Sequence, residues 1–126
     1  MGLVQICPFC GERDETRDHL FFACPYTYTL WLQVLGTLLR PPPSSDLGEN
    51  VDRIAAISND RLGSIVARLS FQVAIYYIWR ERNERRHSQV ARPVEQLVRI
   101  IDKTIMQRIM STRYYGKQKL AGLLQL

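Results

Sequence analysis

Every cysteine of the chain, and one of its two histidines, falls within "CPFCGERDETRDHLFFAC", residues 7–24. The spacing C-x2-C-x8-H-x4-C makes Cys7, Cys10, His19 and Cys24 one candidate ligand set. Two cysteines two residues apart can grip an ion from a tight turn, and the later pair closes a tetrahedron. Three sulfurs and one nitrogen suit a single structural Zn2+, and four protein ligands leave no position open for chemistry. Within "CPFCG", Pro8 stiffens the turn, and Gly11 can take positive φ so that backbone amides turn toward the thiolates. Thr16 stands where it can cap a helical turn, "RDHLFFAC", that presents His19, with Leu20, Phe21 and Phe22 as a miniature core.

Other uses of these residues fit less well. Three cysteines is an odd number, and "MGLVQICPFC" has no basic segment followed by an apolar core, so neither a disulfide framework nor a secretory signal is expected. Both point to a reducing, intracellular setting, nucleus or cytoplasm, rather than secretion. Position 6 is Ile where a myristoylation motif wants Ser or Thr. The longest apolar run, "VAIYYIW" at 73–79, is far short of the roughly 20 residues that span a bilayer. No membrane association is expected. A redox C-x-x-C needs a βαβ context, and a Cys/His nucleophile needs an oxyanion site and an orienting acid; the sequence offers none of these. Asp14–Glu15 is the only adjacent acidic pair and lies in the metal loop, so no polymerase aspartate pair exists. No nuclease or RNase H constellation is present either. The chain is expected to be non-catalytic and to have no small-molecule substrate.

The rest of the sequence reads as helices, so the fold class is mainly α: a small Cys3His zinc knuckle followed by a helical subdomain with long antiparallel helices. Pro25 suits a first helical turn, and Trp31, Val34, Leu35 and Leu38 recur at helical spacing. "RPPPSSDLGEN" at 40–50 reads as a linker, with a short helix over 51–58. Asn59 or Asp60 can cap a long helix whose buried stripe is Leu62, Ile65, Val66, Leu69, Val73, Tyr76 and Tyr77. Over 73–79 this helix is apolar nearly all round, as if covered on most sides. Pro93 opens another helix with Val94, Leu97, Val98, Ile101, Ile105 and Ile109 on one face. The division is then 1–39 for the zinc module and its helix, 40–60 for linker and short helix, and 61–126 for a basic helical subdomain. His87 reads as a surface residue.

Charge is unevenly divided. Residues 1–60 carry four Lys/Arg against eight Asp/Glu, while residues 61–126 carry thirteen against four. Such asymmetry suggests a polyanion-facing second half; its bland counterpart is a solvated helix face. Glu81–Arg85 and Arg80–Glu84 can pair at i,i+4, which leaves Arg82 and Arg86 over.

"CPFCGERDETRDHLFFACPYTYTLW" is very similar to the zinc-binding domain that lies C-terminal to the reverse transcriptase of plant non-LTR, LINE-type retrotransposons. The shared positions are Cys7, Pro8, Cys10, Glu15, Thr16, His19, Leu20, Phe21, Cys24, Pro25 and Trp31. A second stretch, "IWRERNERR" at 78–86, resembles the Ile-Trp-x-x-Arg-Asn segment of the same family. The resemblance implies a fragment or relic of a retroelement polyprotein that holds RNA or DNA.

Zinc knuckles bind single strands by stacking bases on aromatic side chains and contacting phosphates with basic ones. Here four acids and two arginines lie between Cys7 and Cys24, and a zinc with three thiolates adds another negative charge, so this loop is a poor phosphate site. Contacts to RNA or single-stranded DNA are therefore expected from Arg82, Arg86, Arg113, Lys117 and Lys119, with Tyr114 and Tyr115 as stacking faces. The alternative is a zinc-stabilised protein-docking domain that packs on a polymerase core or partner chain. The apolar girth of 73–79 and the ending "LAGLLQL" favour it.

Overall fold

The computed structural model describes residues 6–12, 15–36, 42–56, 61–88 and 90–111. Within them the chain is helical and no strand forms. A π-helical turn at His19–Ala23 leads into α1 (Pro25–Leu35), followed by α2 (Leu47–Ala55), α3 (Arg61–His87) and α4 (Val94–Ser111). Pro25 occupies the first turn of α1, where its missing N–H costs no helical bond.

One core joins the zinc segment to the long helices. α1 packs on both α3 and α4, α3 on α4, and α2 on α3. Trp31 is fully buried at the centre: its ring stacks on Phe22 at 4.9 Å and on Phe71 of α3 at 5.2 Å, and its indole N–H donates to the Phe21 carbonyl at 2.6 Å. Leu20, Phe21 and Phe22 are thus part of the common core rather than a separate small one. α4 contributes Leu97, Val98, Ile101, Ile105 and Ile109, the stripe expected from its spacing, with Val94 half-buried beside it.

Two helices differ from the sequence reading. α2 begins at Leu47, inside the stretch taken as linker, because Asp46 accepts the Glu49 N–H at 3.2 Å as an N-cap. Asn50 there is buried and holds the Ser44 backbone through its side-chain oxygen and nitrogen, 2.9 and 2.8 Å. Tyr76 does not belong to the buried stripe of α3: it is 55% exposed, and Trp79 is 47% exposed. Val66 and Val73 of the expected stripe are buried, with Ser70, Ala74, Ile78 and Glu81 beside them, while Ile65, Leu69 and Tyr77 are half-buried. Leu38, Asn59 and Asp60 fall outside the described residues, as does the Leu62 side chain.

Candidate metal centre

The turn at residues 7–12 is closed by its backbone: the Gly11 N–H donates to the Cys7 carbonyl and the Cys7 N–H to the Glu12 carbonyl, both at 2.8 Å. Gly11 sits at φ +79°, a conformation that a side chain resists. The backbone N–H groups of Phe9 and Cys10 reach the Cys7 sulfur. On the other arm the Thr16 hydroxyl accepts the His19 N–H at 3.0 Å and starts the turn that carries the imidazole. Cys24 stands at the start of α1, where the Thr27 and Tyr26 N–H groups reach its sulfur. Such amides favour a thiolate over a thiol.

These elements bring the four expected ligands together. The Cys7 and Cys24 sulfurs are 3.9 Å apart, Cys10 Sγ and His19 Nε2 are 3.2 Å apart, and all four ligand atoms lie within 4.8 Å of one another. A tetrahedron with Zn–S bonds of about 2.3 Å has edges of about 3.8 Å, so the set fits one zinc ion. Burial pushes both the Cys7 and Cys24 thiols up, Cys24 to about 12, when no cation offsets it. Zinc must displace those protons to bind.

Beside the metal loop lies a pairing that the sequence reading missed. Glu15 accepts from Arg82 through both oxygens, Nε to Oε2 at 3.0 Å and Nη2 to Oε1 at 2.8 Å. Arg86 Nη2 donates to the same Oε1 at 3.0 Å and to the Ile6 carbonyl at 2.9 Å. Arg82 and Arg86 are therefore not left over. The expected i,i+4 pairs, Arg80–Glu84 and Glu81–Arg85, do form at 3.1 and 2.9 Å. Glu15 stands in the first stretch that carries the family resemblance and Arg82 in the second, and the two meet across 67 residues of chain. Nothing local in the sequence signals the pairing; only the excess of acids in the loop and of arginines in α3 hinted at it.

A second joint uses Arg85. Its guanidinium lies 4.7 Å over Tyr26 and 5.0 Å over Phe9, whose rings stack on each other at 4.7 Å, and it donates to the Pro8 carbonyl at 3.3 Å. The Tyr26 hydroxyl, pushed up to about 12 by burial, donates to the Arg92 carbonyl at 2.7 Å. The metal loop is thus fixed to α3 and to the segment before α4.

Glu15→Gln is expected to lower stability by about 1–2 kcal/mol, since the charge-assisted bonds go while Arg82 and Arg86 keep some solvent. The hydrogen bond from Arg82, helped by the charges of Arg82 and Arg86, holds the Glu15 carboxyl below the usual range. A depressed folded-state value stabilises above the ordinary carboxylate range, and that contribution is lost as pH falls through the folded value. Melting curves should therefore converge for the two proteins in acid and separate above about pH 5. Equal melting temperatures at neutral pH would refute this role for Glu15.

Residues 1–31 match the family described as zinc-binding in reverse transcriptase. The match supports reading the Cys/His segment as a reverse-transcriptase-associated zinc-binding domain. No curated protein and no solved structure matches the chain. No helix among the described residues is long and apolar enough to cross a membrane.

Proposed function

We propose that this is a non-catalytic, zinc-stabilised module of a plant LINE-type retrotransposon reverse-transcriptase polyprotein, and that it binds RNA or single-stranded DNA through its basic helical half. The observation that carries the first part is the closed Cys3His set: four protein ligands around one point leave the metal no position for a substrate. Zinc then works by fixing the loop and, through Glu15 and Arg85, the arginine-rich end of α3. Nucleic-acid binding is supported by the charge balance, thirteen basic against four acidic residues over 61–126.

Arg82 and Arg86 have different parts in this reading. The Arg82 side chain is only 16% exposed and holds the loop, whereas Arg86 and Arg80 keep 28% and 56% of theirs in solvent for phosphate. Exposed Arg99, Lys103 and Arg108 extend the positive charge along α4. Arg113, Tyr114, Tyr115, Lys117 and Lys119 lie outside the described residues.

The test is oligonucleotide binding as a function of salt. Each phosphate neutralised on a single strand contributes a slope of about −0.7 to log affinity against log salt. Arg80→Gln with Arg86→Gln is expected to weaken binding and flatten that slope by about 1.4. A chain that binds no oligonucleotide at low salt would instead point to docking on a polymerase core, with exposed Tyr76 and Trp79 meeting a protein surface.

A further inference from the structure

α3 carries its largest exposed apolar groups on the side away from the core. Tyr76 is 55% and Trp79 47% exposed, although this helix buries Val73, Ala74 and Ile78 from the same run. With Arg80, Asn83 and His87 they line a shallow groove of about 510 Å³. The spacing of these five, 76, 79, 80, 83 and 87, puts them on one helix face.

Trp79 is held in place. The Arg82 guanidinium lies 4.7 Å from the ring centroid, and Arg82 is fixed by two bonds to Glu15 and one to the Asn83 side-chain oxygen at 2.8 Å. One side of the indole is thus braced by a planar cation while nearly half of the residue still meets solvent. A braced aromatic ring loses little freedom when a second planar group is laid on it.

Charge selects the kind of planar group. The ion-pair network along this end of α3 sets five arginines against three glutamates, a surplus of two positive charges over the network, with Arg80 lining the groove and Arg82 against the Trp79 ring. Glu84, the one acid lining the groove, is held by Arg80 and Arg92. Aromatic faces beside surplus arginines suit bases on a phosphate backbone. An apolar protein segment would gain nothing from that charge.

We infer that the Tyr76–Trp79 face of α3 is a stacking platform for successive bases of a single-stranded nucleic acid, with Arg80 beside it for phosphate. The inference rests on the nucleic-acid reading above and places its aromatic contacts on α3. The same chemistry serves RNA and DNA, since every base has a stacking face.

Tryptophan fluorescence tests it directly, because the other tryptophan, Trp31, is fully buried and serves as an internal reference. The zinc-loaded full chain is titrated with oligouridylate and with oligothymidylate at low salt. Both are expected to quench the Trp79 emission, and whichever binds more tightly names the preferred backbone. Trp79→Ala is expected to weaken affinity roughly 5- to 150-fold, the range for one lost stack, without changing the salt slope. Trp79→Phe should recover most of the affinity, and Tyr76→Ala should weaken binding in the same sense. Melting temperatures of the variants confirm that the fold survives. Salt-dependent binding with no quenching and no loss in Trp79→Ala or Tyr76→Ala would overturn the platform and leave the nucleic-acid reading standing. No binding of either strand would overturn both.

Discussion

Stripping zinc from the chain is expected to abolish the near-ultraviolet signal of the Trp31–Phe22 stack and to unfold residues 6–24. Small structural zinc sites draw about 10–16 kcal/mol of apparent folding energy from the ion. Without the metal the segment between Cys7 and Cys24 keeps only its non-covalent ties, among them its turn, the Glu15 pairs, the Phe9–Tyr26 stack and the buried Leu20, Phe21 and Phe22. Behind it, the apolar faces of α1, α3 and α4 remain packed on one another. Part of the helical signal should therefore persist while the aromatic signal goes. His19→Ala removes a ligand and is expected to reproduce the chelated state. His87→Ala, at an exposed position on α3, should leave the melting temperature unchanged. Zinc uptake should release protons, because burial holds Cys7 and Cys24 as thiols without it. A chelated protein with unaltered near-ultraviolet circular dichroism would exclude a structural metal.

What made this centre legible is that its signal is local. Four ligands at fixed spacing in eighteen residues, with Gly11 and Thr16 where the backbone needs them, leave few other geometries. The start of α1 at Pro25 and the stripe of α4 are legible for the same reason. Features that depend on distant partners were not. Glu15 reads as one more loop acid until α3 delivers Arg82 and Arg86 to it from 67 and 71 residues away. α2 was masked by its Pro- and Ser-rich approach, although Asp46 followed three residues later by Glu49 is a capping signature. Tyr76 and Trp79 lie in an unbroken apolar run, and a run alone does not say which side of the helix meets the core.

The second large effect is expected at Glu81, which is 1% exposed and anchors Arg85, the second joint between the loop and the helices. Its Oε2 accepts from Arg85 Nε at 2.9 Å and from the Arg92 backbone N–H at 2.8 Å, and its Oε1 from Arg92 Nη1 at 2.8 Å. A carboxylate this deep is costly to desolvate, so the pairing adds modestly to stability compared with a packed apolar side chain. Removing it alone is different, because two guanidinium groups and a backbone N–H lose their acceptor. Glu81→Ala is expected to cost about 3 kcal/mol, the lower end for a broken buried pair, since Arg85 and Arg92 still reach solvent. For a chain of this size that is a fall of roughly 10–15 °C in melting temperature. The loss should extend to the metal. Arg85 bridges Glu81 to Phe9, Tyr26 and the Pro8 carbonyl, so a released guanidinium loosens the turn that holds Cys7 and Cys10. Glu81→Ala should therefore surrender zinc to a competing chelator at a lower chelator concentration than the parent chain does. Glu81→Gln, which keeps the shape and one acceptor oxygen, should fall between them. If the alanine variant melts lower but holds zinc as tightly as the parent, the helices and the loop are stabilised separately and Arg85 does not couple them.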